Sequence, residues 1–415
     1  MRRTNLRVLA WRNLWRNRRR TLITLSSIAI GVFLAVLFTA GQDRNWADLI
    51  DLAARMGGGH VTIQHPEFLD TPTNNRTVVR TQALMDLARQ QPGVTRVVPR
   101  IVGQVMLATA RESYGAGFMA FDPALEDRTT MTLDEALASG TWLRSSEEGG
   151  IILGDGLASN LGLSLGKKVV YTMTDKNGEI VSGLARVTGL LHTGSPGVDM
   201  GLCLLPLTTV SRILGYEADE VQQIAVFIDD QRRCDRVADD LNQAAGPQVR
   251  AWPWHVVQPE LAGFIAMKVG GARFMEILIA VLVAAGIFNT MFVSVLERLR
   301  EFGIMLAIGF RPGDLFKLVM LESLWLGLVG LVLSVLLTIG PYWYLSSTGI
   351  DLSSMLQGEG SEVAGVAISP VLKIGIFPSN AVIIAVAALL ATLLAGLYPA
   401  WRAGRVTPVE SIRLV

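Results

Sequence analysis

The chain is poor in charge, cysteine and histidine, and each shortage removes a class of function. Only 18% of its 415 residues are charged, against about 25% in an ordinary soluble domain. The formal net charge is +1, so no global field favours nucleic acid. Two cysteines, Cys203 and Cys234, stand outside any CxxC pair, which excludes a disulfide scaffold and a cysteine-based zinc site. The histidines His60, His65, His192 and His255 form no HExxH pattern, so no metal site is assigned. A phosphate loop is missing too. Its nearest approach, Gly162–Lys168 (GLSLGKK), is one residue short between its glycines and lacks the closing Ser or Thr. It reads as a turn ending in two solvated lysines.

What the chain has is apolar length. Half of it is hydrophobic, and residues 21–42, 277–296, 323–350 and 374–401 carry no charge at all. A helix needs about 20 such residues to cross the hydrocarbon, so four transmembrane helices are expected. Residues 1–21 hold eight arginines and no acid. The apolar run that follows, Leu22–Ala40, is too long for a signal-peptide core and reads as a retained helix. Segments 1–21, 297–317 and 402–415 together carry 15 basic and 4 acidic residues, while 43–273 carries 21 basic and 27 acidic. The positive-inside rule then puts both termini in the cytoplasm and the long segment outside.

That long segment reads as a folded domain. Strand (59–64), helix (81–90), turn (91–93) and strand (94–102) are answered by strand (221–229), helix (231–245), turn (246–247) and strand (248–254). Two such units predict a split ferredoxin-like α/β sheet. Short β-like runs at 150–153, 168–172, 185–190 and 201–206 predict a small β-rich insertion, with an Asn-Gly-type hairpin at Asp175–Gly178. The fold class is therefore an α+β membrane protein: four transmembrane helices, with the α/β and β-rich regions between the first two. The expected division is a basic helix (1–21), spans at 22–42, 272–296, 316–346 and 374–400, and an α/β domain (43–103 and 221–271) with its insertion (104–220). A loop follows the second span (297–315), another the third (347–373), and a tail the fourth (401–415).

The loop after the second span carries the most information. In Glu297–Pro312 (ERLREFGIMLAIGFRP) a charged turn offers Glu297–Arg300 and Arg298–Glu301 pairs at i,i+3. Leu299, Phe302 and Leu306 then recur at helical spacing, and Gly309 can end the helix. This describes a short helix along the membrane, suited to a groove on a soluble partner or merely to lipid headgroups. In the first span, Ile30, Phe33, Leu34, Leu37 and Phe38 form an apolar wall that could border acyl chains or simply bilayer lipid. Asn289, a polar residue inside the second span, points to helix packing. The basic helix with Arg12, Arg16, Arg18, Arg19 and Arg20 reads as an anchor to anionic lipid. His60 and His65 flank a strand end as structural residues, and the two cysteines, both outside the membrane, read as free buried thiols, with a disulfide between them as the alternative.

Glu297, Arg298, Arg300, Glu301, Gly303, Ala307 and Gly309 match the E-R-x-R-E-I-G-x-x-x-A-x-G-A signature of the FtsX/MacB/lipoprotein-releasing ABC permeases, with Phe302 and Phe310 as departures. The ending Tyr398–Ala403 and Thr407–Arg413 is similar to that family's, and the runs GDGLASNLGLSLG (154–166) and VTGLLHTGSPGVD (187–199) most resemble its LolC/LolE branch. The resemblance implies that Glu297, Arg298, Arg300, Glu301, Gly303, Ile304, Ala307, Gly309 and Arg311 form a coupling helix to a separate cytoplasmic ATPase, which binds the ATP and Mg. This chain would then need no cofactor and have no catalytic role. It also implies a second permease subunit, identical or not, a periplasmic lipoprotein carrier and an inner-membrane location. The function implied is extraction of lipoproteins, with MacB-like efflux of peptides or drugs, or FtsX-like signalling, as alternatives. In LolC-type subunits a hook between two outer strands recruits the carrier. The corresponding Asp175–Gly183 reads as a short hairpin, which favours LolE-like behaviour or a homodimer.

The charge asymmetry makes a direct prediction. Single cysteines at Gly178 and Gly358, in a background lacking Cys203 and Cys234, react with an impermeant maleimide on intact spheroplasts. Cysteines at Gly309 and Gly404 react only after lysis. Labelling at Gly309 from outside would reverse the orientation.

Overall fold

The structure, a computed structural model, describes residues 6–146, 149–351 and 371–405, and the backbone of 362–363 and 366–367. Gly358 and the Thr407–Arg413 ending lie outside these. The chain divides into a helical unit, built around the segments up to Asn45, Ala266–Ile350 and from Val371, and an α/β unit containing Trp46–Ile265.

Among the described residues, four helices are each long and apolar enough to cross a membrane: Arg18–Met56, Pro259–Glu297, Pro312–Ser347 and Pro378–Gly404. The first two are 39 residues each, longer than their charge-free runs. Helical hydrogen bonding does not stop where charge begins, and the polar stretches 43–56 and 259–276 keep a helical sequence without a breaking proline. Within the helical unit, glycines let backbones approach. A Cβ on Gly330 would lie 2.6 Å from Ile28 Cγ2, and one on Gly396 would lie 2.1 Å from Ser323 Oγ. Such small-residue contacts are what apolar helices use where water cannot drive them together. Leu25, Ile28, Phe302, Leu315, Val319 and Ala400 form the centre of this packing. At the other end of the bundle Asp43 caps the fourth helix, accepting from Phe377 N–H (3.0 Å) and Asn380 Nδ2 (2.8 Å).

The α/β unit holds a ten-stranded sheet. Strand Val61–Gln64 lies antiparallel between Arg250–Pro253 and Gln223–Ile228, and the latter pairs with Val94–Ala108. Helices Thr81–Arg89 and Cys234–Ala245 cover this part, burying Leu84, Met85, Val237 and Leu241 on Ile63 and Ile224. Both strand–helix–strand units expected from the sequence are present. Residue 104, where the β-rich insertion was expected to begin, falls inside the 15-residue strand Val94–Ala108. That strand pairs onward with Ser113–Phe121 and Lys168–Thr174, so one sheet runs through both regions. A second core around Phe118, Ile151, Leu153, Tyr171 and Leu205 marks the β-rich half. Cys203 and Cys234 are free and belong to different cores; burial raises the thiol pKa of both, to about 11 for Cys234.

Inside this unit the end of the first helix is bolted to the sheet. Arg100, fully buried on strand Val94–Ala108, donates to both oxygens of Glu126 (2.8 and 3.0 Å) and to the carbonyls of Thr130 (2.7 Å) and Gly57. A helix leaves its last carbonyls unpaired, and the guanidinium fork supplies donors there. Beside it His60 Nδ1 accepts from Ile228 N–H (3.2 Å), so its Nε2 carries the proton that reaches Asp51 Oδ1 (2.8 Å). Arg100→Leu strands the Glu126 carboxylate and is expected to cost about 3–5 kcal/mol. Hydrogen exchange should then quicken at residues 55–57 and along Val94–Ala108 before any other part of the sheet.

Candidate functional site

Between the second and third long helices a short helix, Leu299–Ala307, is set off by turns with identifiable causes. At its end Gly309 N–H donates to Leu306 O (3.1 Å) and Phe310 N–H to Met305 O (3.0 Å), the paired bonds of a Schellman close. Gly309 sits at φ +105°, a conformation that L side chains rarely adopt. The third helix begins at once: Pro312 takes its first position, and Asp314 accepts from Arg311 N–H (3.2 Å). A proline at that position loses no intrahelical bond.

The inner face of the short helix is held by charge. Arg298, just before it, is buried and donates to both oxygens of Glu322 on the third helix (3.0 and 2.9 Å). The guanidinium also lies 5.2 Å from the Phe302 ring centre and 3.3 Å from Glu301. Asn13 Nδ2, from the N-terminal helix Leu6–Leu14, donates to Glu322 Oε1 (2.8 Å). Arg16 pairs with Glu301, and Arg20 with Glu297 and with Ser294 Oγ (2.8 Å). Partial burial raises the Glu301 pKa, but the hydrogen bond and charge of Arg16, with Arg298 behind them, outweigh this and hold it below the usual carboxylate range. The Arg16–Glu301 contact is thus present at neutral pH and is lost as pH falls through that lowered pKa.

The expected coupling residues therefore separate into two faces. Arg298 and Gly303 are buried and Glu301 is half-buried, while Glu297, Arg300, Ile304, Ala307, Gly309 and Arg311 are exposed. Of the two i,i+3 pairs read from the sequence, Arg298–Glu301 forms, and Glu297 turns instead to Arg20. Sequence reasoning missed Glu322 and Asn13. A signal existed: Glu322 is the acid immediately before the charge-free run 323–350, where a carboxylate needs a partner. Arg16 and Arg20, expected to meet anionic lipid, are engaged by Glu301 and Glu297. Arg12, Arg18 and Arg19 remain exposed.

A second feature of the helical unit is an apolar groove of about 220 Å³ between the first, second and fourth helices. Its wall on the first helix is Ile28, Gly31, Val32 and Ala35, facing Val283 and Ile384. At one end Thr39 Oγ1 donates to Glu276 Oε1 (2.7 Å). The predicted wall of Ile30, Phe33, Leu34, Leu37 and Phe38 does not line it. Ile30 and Leu34 are each half-exposed on the outside of the bundle, with Phe33, Leu37 and Phe38 beside them partly covered. Residues 28, 31, 32, 35 and 39 follow the helical repeat of one face, and the bulkier side chains mark the other. Asn289 is exposed on this chain.

Among the described residues, two clusters in the α/β unit bring metal-capable donors together, Cys234–Asp235–His255 and Asp155–His192–Asp199. In the second, His192 Nδ1 lies 2.8 Å from Asp155, and Asp199 accepts from Thr193 and Gly194 N–H, so hydrogen bonding accounts for these groups. The hairpin at Asp175 closes tightly: its carboxylate accepts from Asn177 and Glu179 N–H, both at 2.8 Å.

Family models match the chain over residues 21–244, as a MacB-like periplasmic core domain, and over 273–408, as an FtsX-like permease C-terminal region. The chain belongs to the FtsX/MacB family of ABC transporter permeases. This permease is 24% identical to the lipoprotein-releasing system transmembrane protein LolC of Neisseria meningitidis, over 95% of its own length and 94% of that protein's. It is 21% identical to LolE of the same system in Haemophilus influenzae, over 97% of each. The macrolide export ATP-binding/permease protein MacB of Nitrobacter winogradskyi is 23% identical over 95% of the permease and 58% of MacB.

The buried pair tests the inner face of the site. Glu322→Leu leaves Arg298 buried without its carboxylate and should lower stability in detergent by about 3–5 kcal/mol. Arg298→Met combined with Glu322→Leu should recover most of that loss, because two apolar groups need no partner. Thermal unfolding of the four proteins completes the cycle.

Proposed function

We propose that this permease is the membrane subunit of an ATP-driven machine that lifts lipid-anchored proteins out of the inner membrane. Both termini and the short helix face the cytoplasm, and the α/β unit faces the periplasm. A separate cytoplasmic ATPase docks on the exposed side of Leu299–Ala307, through Arg300, Ile304, Ala307, Ile308 and Arg311. Ile304 and Ile308 are 49% and 64% exposed, and apolar side chains flanked by arginine suit a partner's groove. A second permease subunit completes the pair, and a periplasmic carrier receives the cargo.

The observation that carries the cargo reading is the apolar groove between the first, second and fourth helices. Walls of Ile, Val and Ala fit an acyl chain, and the Thr39–Glu276 pair at one end offers a polar stop where the chain meets its headgroup. The near full-length match to LolC and LolE supports the same reading. The MacB relative supports efflux of a soluble compound by the same coupling.

A photo-crosslinker at Ala35, with Phe33 as the outward-facing control, separates these. Ala35 should capture an acylated peptide and Phe33 only phospholipid. Recovery at Ala35 of phospholipid alone, or of a peptide without acyl chains, defeats the lipoprotein reading. For the coupling face, the purified chain should hydrolyse no ATP by itself. Ile308→Asp should reduce its stimulation of the added ATPase about tenfold or more, without altering unfolding temperature.

A further inference from the structure

The helical unit contains a polar pocket of about 300 Å³ that the coupling reading leaves without an occupant. Arg20, Thr21 and Thr24 of the first helix, Thr290, Ser294 and Glu297 of the second and Glu322 of the third line it, with Arg16 from the N-terminal segment and Arg298 behind. Its depth follows from the sequence. The charge-free runs begin at Thr21, end at Leu296 and begin again at Ser323, so the pocket lies where three helices leave the hydrocarbon, at the level of lipid headgroups. A space of this size lined by charge and hydroxyls does not stay empty as an apolar one can.

The charges within it narrow the occupant. Each of its three arginines already has a carboxylate, Arg16 that of Glu301, Arg298 that of Glu322, and Arg20 that of Glu297 at the rim. An anion alone would take Arg20 and leave Glu297 facing added negative charge. A zwitterion does better, because it enters the ion pair as a spacer: its phosphate takes Arg20 and its cation takes Glu297, replacing one pair with two. Arg20 has donors to spare, since a guanidinium offers five N–H groups. A primary ammonium can also donate hydrogen bonds to Glu297, which a quaternary one cannot. The acyl chains remain in the bilayer they already occupy, so little freedom is lost on binding.

We propose that this pocket holds the headgroup of a phosphoethanolamine lipid, with the phosphodiester on Arg20 and the ammonium on Glu297. The proposal rests on insertion of the four helices in a membrane and is independent of the cargo.

The test uses the full chain, delipidated in detergent, with native mass spectrometry of retained lipid. Phosphatidylethanolamine, phosphatidylcholine and phosphatidylglycerol of matched acyl chains compete at equal concentration, with inorganic phosphate as a soluble probe. One phosphatidylethanolamine per chain should be retained, about tenfold over each competitor, the ratio expected of one charge-assisted contact. Glu297→Gln should abolish the preference over phosphatidylcholine, while Arg20→Gln lowers retention of every lipid. Thr290→Leu fills the pocket and leaves all the ion pairs in place, so it should also prevent retention and carries the test if Arg20→Gln fails to fold. Equal retention of the three lipids, or normal retention by Thr290→Leu, overturns the proposal. Displacement by inorganic phosphate at millimolar concentration would identify a free-phosphate site and overturn it equally.

Discussion

The contact between Arg298 and Glu322 fixes the geometry on which the Leu299–Ala307 end of the helical unit depends. Two charges removed from water are costly, and their attraction repays that cost only when the remaining donors and acceptors are also met. Here they are: Asn13 completes Glu322, Glu301 takes the Nε side of the guanidinium, and Phe302 lies against it. The consequence is positional rather than energetic. With Nη1 on both oxygens of Glu322 and Nε on Glu301, the guanidinium is held in one orientation, so the start of the Leu299–Ala307 helix is set against the third helix, and the N-terminal helix is set against both. The apolar contacts of Phe302, Leu315 and Val319 supply cohesion, but alone they would tolerate sliding.

Arg100 shows the same chemistry in the α/β unit. It too is a buried arginine on a glutamate, here with Nε and Nη2 forked onto the two oxygens and its remaining donors on backbone carbonyls. In both places an arginine sits where a helix ends or turns. Helix ends present unpaired polar groups that apolar packing cannot satisfy, and lysine, with its single point of charge, could not bridge several acceptors in one plane. These two buried arginines therefore mark joints between elements, while the cores around them are packed largely with apolar side chains.

Most of the architecture was legible because it rests on local rules. Charge-free length gave the four membrane helices. Alternation between turns gave the strand–helix–strand units, and Gly309 gave the end of the short helix. What was not legible depends on which way a helix faces. Ile30, Phe33, Leu34, Leu37 and Phe38 are apolar, and apolarity cannot distinguish lipid-facing from groove-facing positions in a segment that is apolar all round. Small residues at 31 and 35 line the groove, since space beside a helix requires them. Likewise the motif's arginines and glutamates looked alike in sequence, yet Arg298 is spent inward and Arg300 outward. Partners 24 and 285 residues away, Glu322 for Arg298 and Arg16 for Glu301, leave no trace in local spacing.

This division of faces bears on how a coupling helix can work at all. A helix that docks a partner must be firm, or the partner's movement is absorbed as local rearrangement. It must also be free of internal obligations on the side that docks. A nine-residue helix cannot meet the first demand alone, since isolated helices of that length are marginal in water. Under the proposed docking, the structure meets it from behind, with Arg298, Phe302 and Glu301 turned inward, while Arg300, Ile304 and Ile308 are exposed. Charge reversal at Glu301 would therefore disturb the joint before it disturbed any docking surface, so its loss of function would say little about the partner. Ile304 and Ile308 carry none of these polar contacts and are 49% and 64% exposed, so under the proposed docking substitutions there report on the partner more directly.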